Sequence, residues 1–254
     1  MTFILRIRRR LPVNQAGFGM IELLIAMSIM SIGILAVVAL FQTGMVTIRR
    51  ASTISTAAAL ADSEMEKFRA VRYVVIGLDD SDVAAADSIY LADTAYKPET
   101  TPLSTLSSSI DAAASTLTVA SATGFPAAPF RVKVDNEVLY VTAVSGSVFT
   151  VTRGVDGTVA ASHSGGATVA QKQRAHIVAC GSGTCTTADP VKTVTGADGQ
   201  SYRVDTYVSW QSITNSNGVA GRNAKLVTIV VRSSATPTRV YARVSSSFDE
   251  ATGV

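Results

Sequence analysis

The sequence predicts an α+β fold: one long N-terminal helix, then an antiparallel β-sheet, with a small all-β module inserted between them. Three observations predict it. Residues 18–41 form a continuous apolar run. Apolar residues then recur every three or four positions as far as Val75, which is a helical period. From Ser115 onward the apolar period is two, which indicates strands. The helix therefore comes first and the sheet last.

The apolar run carries one ionisable side chain, the carboxylate of Glu22. A helix of about 20 apolar residues spans a bilayer, so residues 18–41 are long enough. A carboxylate in a membrane helix costs about 2.5 to 3.5 kcal/mol on insertion scales and therefore needs a partner. If the chain is cut between Gly17 and Phe18, the new amino group lies about one helical turn, or ~5 Å, from Glu22 or meets the Glu22 of a neighbouring copy.

Other roles fit this run less well. An ordinary secretory signal has about 7 to 15 apolar residues and a small-residue cleavage site after them. Here the small residue, Gly17, comes before the run. A plain membrane anchor has no use for Glu22, and a buried core helix would be shorter.

The N-terminal residues resemble the class III signal of type IV prepilins and pseudopilins. The likeness rests on a basic leader, on the sequence Gly-Phe-Gly-Met-Ile-Glu at 17–22 and on the apolar residues 23–27. Residues 31–36 are similar to minor pilins of the PilV type. The resemblance implies a type IV pilin-like fold, in which the long helix packs on a C-terminal antiparallel sheet.

The same resemblance implies how the chain is processed and what it contacts. A prepilin peptidase would cleave after Gly17 and N-methylate Phe18, and Glu22 would act as an assembly carboxylate. The expected partners are prepilin peptidase, other pilins or pseudopilins, an inner-membrane assembly platform and membrane lipid. The expected segments are a leader, a long helix, a connecting loop, an inserted β-module and a C-terminal sheet, at 1–17, 18–77, 78–114, 115–170 and 171–254.

The basic leader accounts for the net charge of +3. Four of the 22 basic residues are arginines within 1–17, which holds no acidic residue, so the processed chain has 18 basic against 19 acidic side chains. A nearly neutral chain gives no reason to expect a nucleic-acid partner. The same arginines place the N-terminus in the cytoplasm and the rest of the protein beyond residue 41 outside the inner membrane.

The helix is predicted to continue past the bilayer. Apolar residues follow one stripe from Ile54 to Val75 at spacings of three and four, and Gly77 is a plausible helix stop. The stripe consists of Ile54, Ala58, Ala61, Met65, Phe68, Arg72 and Val75. Residues 78–114 are predicted to be a connecting loop, and the acidic group 79–82 lacks the glycine and distal glutamate of a calcium loop.

The module at 115–170 is predicted to contain short strands around 117–119, 132–134, 138–141 and 149–151. The segments 123–126, 153–158 and 160–163 resemble a small β-module of phage and virion structural proteins, which implies display or attachment at a surface. His163 has no Cys, Glu or second His at ligand spacing and is interpreted as structural.

The C-terminal residues predict a second antiparallel unit. Its strands are expected at 175–179, 202–210, 225–232 and 239–245, with Asn217-Gly218 as a turn. Cys180 and Cys185 favour a disulfide in an exported chain and would remain thiols in a reducing exterior. A metal site would need two ligands besides this pair, and His176 supplies only one.

No enzyme motif is found in the sequence, and neither a cofactor nor a metal is expected. The features favour a minor type IV pilin at or near a filament tip, with a role in adhesion or assembly initiation. A type II secretion pseudopilin would use the same N-terminal features. A membrane-anchored adhesin that does not assemble is the alternative of another class, and it would not need cleavage or Glu22.

Overall fold

The computed structural model describes residues 17, 19–99, 102–175, 189–214 and 220–249. The chain divides into two compact units, Met1–Ala51 and Ser52–Val254. Helix α1 covers Met20–Arg69, and a 3₁₀ turn follows at Tyr73–Val75. Two shorter helices come next, α2 at Asp80–Ala84 and α3 at Ser88–Leu91.

The described residues form ten strands in two antiparallel sheets. The strands of the first sheet are β1 Leu103–Thr105, β2 Thr116–Thr118, β3 Phe130–Val134, β4 Glu137–Ser145, β5 Val148–Thr152 and β6 Thr168–Gln171. The strands of the second sheet are β7 Val191–Thr195, β8 Ser201–Thr214, β9 Ala220–Ser233 and β10 Val240–Asp249.

The first sheet closes on itself and forms a small barrel. Its strand order is β1-β6-β3-β4-β5-β2. The residues beside its two end strands pair with each other: Ser107 N–H donates to Thr118 O over 2.8 Å, and Ala120 N–H donates to Thr105 O over 2.8 Å. A closed barrel has no free sheet edge. Its interior is a separate apolar core that includes Leu106, Leu117, Phe130, Val132, Leu139, Phe149 and Val169.

The second sheet, called the head sheet here, has the order β10-β9-β8-β7 and is covered on both faces. Alternate residues of β8 point to opposite faces. On one face the Tyr202 hydroxyl reaches Thr53 O of α1 at 3.4 Å. On the other face Tyr207 stacks on Tyr90 of α3, with ring centroids 4.3 Å apart. This double cover explains why residues 202–209 of β8 and 224–232 of β9 are almost continuously buried.

Helix α1 ends at Arg69, eight residues before the predicted end at Gly77. Its buried residues are Ala57, Ala61, Glu64, Met65 and Phe68. The predicted stripe is therefore right for Ala61, Met65 and Phe68, whereas Ile54 is exposed. Residues 73–76 are aromatic or β-branched and disfavour a helix, and Arg72 has extended backbone angles, φ −65° and ψ 145°. The turn after α1 brings Ile76 and Leu78 into the core.

The segment 78–114, predicted as a loop, contains α2, α3 and β1. Helices α2 and α3 are held on the head because each buries one side chain: Val83 and Tyr90 are each 1% exposed. Asp87 caps α3 by accepting a hydrogen bond from Tyr90 N–H at 3.0 Å. Strand β1 pairs with β6, so the barrel begins a dozen residues before the predicted start at Ser115.

The barrel joins the head through two neighbouring strands. Gln171 N–H donates to Pro102 O at 3.2 Å, so the segment that enters the barrel and the segment that leaves it lie side by side. The buried Lys172 ammonium lies 2.8 Å from the Glu99 carboxylate. Arg131 of β3 stacks on the Trp210 ring of β8, with its guanidinium carbon 3.5 Å from the ring centroid. These contacts fix the base of the barrel on the head.

Candidate functional site

The N-terminal part of α1 presents an apolar surface to its surroundings. All 18 large apolar side chains between Met20 and Ile48 are exposed, from 45% for Val38 to 85% for Met20. Monomeric soluble proteins rarely expose an apolar patch of this extent. By length and composition, the helix can cross a membrane. A surface of this kind suits lipid or the equally apolar helices of other subunits.

The hydroxyl groups within this surface are satisfied by the helix itself. Ser28, Ser31, Thr43 and Thr47 each donate to the carbonyl four residues earlier, over 2.8 to 3.0 Å. An unpaired polar group in lipid costs several kcal/mol, so such back-bonding makes these residues compatible with a membrane. The surface therefore behaves as apolar despite its four hydroxyls.

Glu22 is the exception on this surface. Its carboxylate is exposed in the first turn of α1, and no side-chain partner for it is found within the described part of the chain. It lies at the end of the helix toward which the amide dipoles point their positive end. Phe18 lies outside the described residues, so the expected pairing of its amino group with Glu22 remains a prediction.

The expected cleavage point precedes the helix. Gly17 is exposed and non-helical, and α1 begins at Met20. Gly19 O accepts the first hydrogen bonds of the helix, from Glu22 N–H at 3.0 Å and Leu23 N–H at 3.2 Å. A peptide bond next to Gly17 is therefore not locked inside the helix, as proteolysis requires.

A second polar cluster lies where strands and loops of the barrel meet, and sequence reasoning did not identify it. Glu137, 1% exposed, accepts two hydrogen bonds from Arg153, one from Gly154 N–H at 2.9 Å and one from Ala161 N–H at 3.0 Å. The ring of His163 bridges the carboxylates of Glu137 and Asp135, at 2.8 and 2.7 Å. We call Asp135, Glu137, Arg153 and His163 the barrel clamp.

The barrel clamp is structural by its geometry. Burial by itself raises the pKa of Glu137, but the hydrogen bonds from Arg153, Ala161, His163 and Gly154 outweigh it and bring the pKa to about 2. His163 is only 4% exposed, so a substrate has little access to its ring. Gly154 has φ +60°, and a Cβ there would lie 3.0 Å from Ala160 N, so the turn requires glycine. The segment that resembles a phage β-module thus supplies a clamp that ties loops to the barrel.

A third charged cluster fixes helix α3 on the head sheet. Asp205 of β8 is fully buried and accepts from Arg203 Nε and Arg232 Nε, both at 2.7 Å. Arg203 also binds Asp87, and Arg232 also binds Asp93. Hydrogen bonds from Arg203 lower the pKa of Asp87 to about 2, against a smaller opposing effect of burial. The sequence offered one signal: Arg203, Asp205 and Arg232 lie inside segments predicted to be strands.

The remaining predicted site residues are not brought together by the described part of the structure. Cys180, Cys185 and His176 lie outside it, so the disulfide remains a prediction. Among residues 17, 19–99, 102–175, 189–214 and 220–249, no group of three or more His, Cys, Asp or Glu side chains is placed to hold a metal ion. Residues 79–82 enter α2 and do not form a cation loop.

Comparison with protein families identifies the N-terminal region. Residues 13–38 match the prokaryotic N-terminal methylation motif. Curated proteins give no match to this chain. The chain therefore carries a type IV pilin-like class III signal. Its order of one long apolar helix followed by antiparallel sheets is the α+β architecture of type IV pilin-like proteins, as the sequence predicted.

The motif has consequences for processing and placement. It implies cleavage by a prepilin peptidase and assembly with other pilins. Together with the apolar part of α1, it supports a membrane anchor and a place in a pilus-type filament. It also favours a structural role over an enzymatic one.

Proposed function

We propose that this chain is a minor type IV pilin, a structural subunit incorporated at or near the tip of a pilus filament. Prepilin peptidase cleaves it after Gly17 and N-methylates Phe18. Before assembly it sits in the inner membrane with its N-terminus in the cytoplasm and its head outside. The observation that carries the proposal is the methylation motif at residues 13–38 on a helix whose large apolar side chains from Met20 to Ile48 are all exposed.

The barrel supports a place near the tip. It is a closed unit with its own apolar core, added to the head through two neighbouring strands. A subunit in a tightly packed shaft has neighbours on every side, whereas a subunit at the tip has free space above it. An enlarged head is therefore easier to place at the tip, where a displayed barrel can serve adhesion or assembly initiation.

Intact mass measurement and N-terminal sequencing of protein recovered from the native membrane or filament fraction test the processing step. We expect a chain that begins at N-methylated Phe18. A chain that still begins at Met1, or one cleaved after the apolar run, would make the protein an anchored or secreted β-rich protein and would contradict the proposal.

A matched pair of variants tests the role of Glu22 in assembly. We expect Glu22→Val to insert normally in the membrane but to be depleted at least tenfold from sheared filaments, because the only carboxylate of the apolar run is lost. Glu66→Val makes the same change at an exposed carboxylate of the same helix, outside the apolar run, and should be incorporated normally. Equal incorporation of both variants would remove Glu22 from the assembly mechanism.

Gold labelling tests the position in the filament. A short epitope inserted at Gly146, in the exposed turn between β4 and β5, marks the barrel without entering either core. We expect label at filament ends. Label spaced along the shaft would contradict the tip position, and label restricted to the periplasm would favour the secretion pseudopilin.

A further inference from the structure

The outer edge of β10 is a long sheet edge without a partner strand. β10 is the end strand of the head sheet and pairs with β9 only. Within the described residues, no backbone hydrogen bond joins Val244–Phe248 to anything other than β9. The N–H and C=O groups along such an edge are a template on which another strand can pair.

The other boundaries of the two sheets are closed or short. The barrel closes through the pairing of Leu106 with Val119. On the opposite side of the head sheet, β7 is only five residues long. Beyond β7 that side is covered, because Ala175 N–H donates to Val208 O at 3.1 Å and Trp210 N–H donates to Gln173 O at 2.8 Å. The edge of β10 is thus the place where the head sheet can be extended.

The protection of this edge is confined to its first half. Proteins commonly guard edge strands with charges, prolines or bulges. β10 has a bulge between Val240 and Ala242 and a charge at Arg243. The five residues Val244–Phe248 contain neither a charge nor a proline. They form an unguarded stretch long enough for a strand to pair with.

The sequence of β10 is complementary to itself in one antiparallel register. With Ser246 opposite Ser246 of a second copy, Val244 faces Phe248, and Arg243, which also binds Asp93 of its own chain at 2.7 Å, faces Asp249. Opposite charges and pairs of aromatic and β-branched residues directly across a strand pair are stabilising. A register centred on Ser245 or Ser247 loses both kinds of pairing. The complementarity therefore favours the register centred on Ser246 over its two neighbours and gives a reason to consider a second copy as the partner.

The faces of the sheet agree with this register. Residues directly opposite each other in an antiparallel pair lie on the same face. Val244 and Phe248 already pack against the head core. In the paired arrangement these residues of both copies form one apolar stripe across the junction, while Arg243 and Asp249 lie on the other face.

We propose that β10 is a docking edge for β10 of a second copy of this chain, in the register centred on Ser246. The contact joins two four-stranded head sheets into one sheet of eight strands. It uses only the head and does not depend on cleavage at Gly17 or on the place of the chain in a filament.

Cysteine cross-linking of the full chain in detergent tests the register. Cys180→Ser and Cys185→Ser first remove the native thiols. On this background we expect Ser246→Cys to give at least tenfold more disulfide-linked dimer than Ser234→Cys, an exposed control in the turn after β9. Partners at 246 lie directly opposite each other, within the Cα separation of about 4.4 to 6.8 Å that a disulfide needs.

A mixing experiment separates this register from random collision. Ser245 lies opposite Ser247 of the second copy, whereas two Ser245 residues lie on a diagonal about 7 to 8 Å apart. We expect Ser245→Cys and Ser247→Cys proteins to cross-link when mixed and to do so at least fivefold less when alone. Asp249→Arg in the Ser246→Cys chain places Arg opposite Arg243 and should lower the dimer yield at least fivefold.

Three results would overturn the proposal. These are a Ser246→Cys dimer yield no higher than that of Ser234→Cys, equal cross-linking of the Ser245→Cys and Ser247→Cys proteins alone and mixed, and a Ser246→Cys adduct whose mass shows a different protein. The last result would assign the edge to another partner rather than to a second copy.

Discussion

The two parts of helix α1 differ in whether their side chains are buried and paired within this chain. From Ser52 onward the helix buries Ala57, Ala61, Met65 and Phe68 against the head core, and its buried carboxylate, Glu64, binds Lys67 and Lys192. From Met20 to Ile48 every large apolar side chain is exposed, and Glu22 has no side-chain partner among the described residues. The exposed surface of the first part therefore suits partners outside this chain, such as lipid or the helices of other subunits.

The carboxylates make this comparison measurable. Glu137, Asp205 and Glu64 are satisfied inside the chain, so removing them should cost folding stability, in proportion to burial and to the number of bonds lost. Glu22 is satisfied by nothing in the described residues, so its removal should cost assembly and leave folding unchanged. Four isosteric substitutions rank these groups.

Glu137→Gln should have the largest effect. The carboxylate is 1% exposed and accepts five hydrogen bonds. In glutamine an NH₂ group replaces one of the accepting oxygens, so it would face N–H donors that it cannot accept from. Breaking a buried ion pair typically costs about 3 to 5 kcal/mol. We expect a loss of this size in urea unfolding of the full chain in detergent, with early loss of hydrogen-exchange protection in the barrel strands.

The same substitution should change the acid response of the barrel. The folded-state pKa of Glu137, about 2, lies below the usual glutamate value of about 4.5. The stability from the ionised group is therefore present above about pH 5 and is lost as pH falls toward 2. The shift corresponds to about 3 kcal/mol. We expect this loss in the wild type, and a smaller one in Glu137→Gln. Parallel pH profiles would show that Glu137 does not control acid unfolding.

The sequence predicted the order of elements because periods of 3.6 and 2 are visible without tertiary contacts. It did not predict the barrel clamp, because Glu137 and His163 are 26 residues apart and meet only when the barrel closes. The end of α1 was misplaced for a related reason: Arg72 and Val75 fit the helical spacing, but the helix ends at Arg69 and the chain returns to the core only after a turn, at Ile76 and Leu78. Periodicity reports which residues are buried, not the path of the chain that buries them.

Asp205→Asn should rank second, with a loss of about 2 kcal/mol, which is typical of leaving buried hydrogen-bonding groups unsatisfied and below the usual cost of breaking a buried ion pair. Asp205 is completely buried, but Arg203 and Arg232 each keep another carboxylate partner, Asp87 and Asp93. Fluorescence of Trp210, the single tryptophan, can follow the unfolding in urea. Asp62→Asn, an exposed carboxylate on α1, is the control and should change nothing. Equal stability of the two variants would contradict a structural role for this network.

Glu64→Gln should rank third, at about 1 kcal/mol, a typical net contribution of a hydrogen bond. Lys67 is largely exposed, with 63% of its side chain accessible, and Lys192 retains 25%, so both ammonium groups can turn to water when the carboxylate is lost. Burial raises the pKa of Glu64, but the hydrogen bonds and charges of Lys192 and Lys67 together outweigh it and hold the pKa below its usual value. The small loss should therefore be complete above the unfolded pKa of about 4.5 and vanish as pH falls through the lower pKa of the folded state.

Glu22→Gln should have the smallest effect on folding, within about 0.5 kcal/mol of zero, as is usual for exposed substitutions. The carboxylate contacts no other side chain in the described part of the chain, so urea unfolding of the head should coincide with that of the wild type. Glu22→Val, its counterpart in the filament experiment, should nevertheless be lost from filaments. A group that is neutral for folding of the head and required for assembly acts outside the head, on the Phe18 amino group or on another subunit. A Glu22→Gln chain whose head unfolds more readily would instead show that Glu22 supports the fold of its own chain.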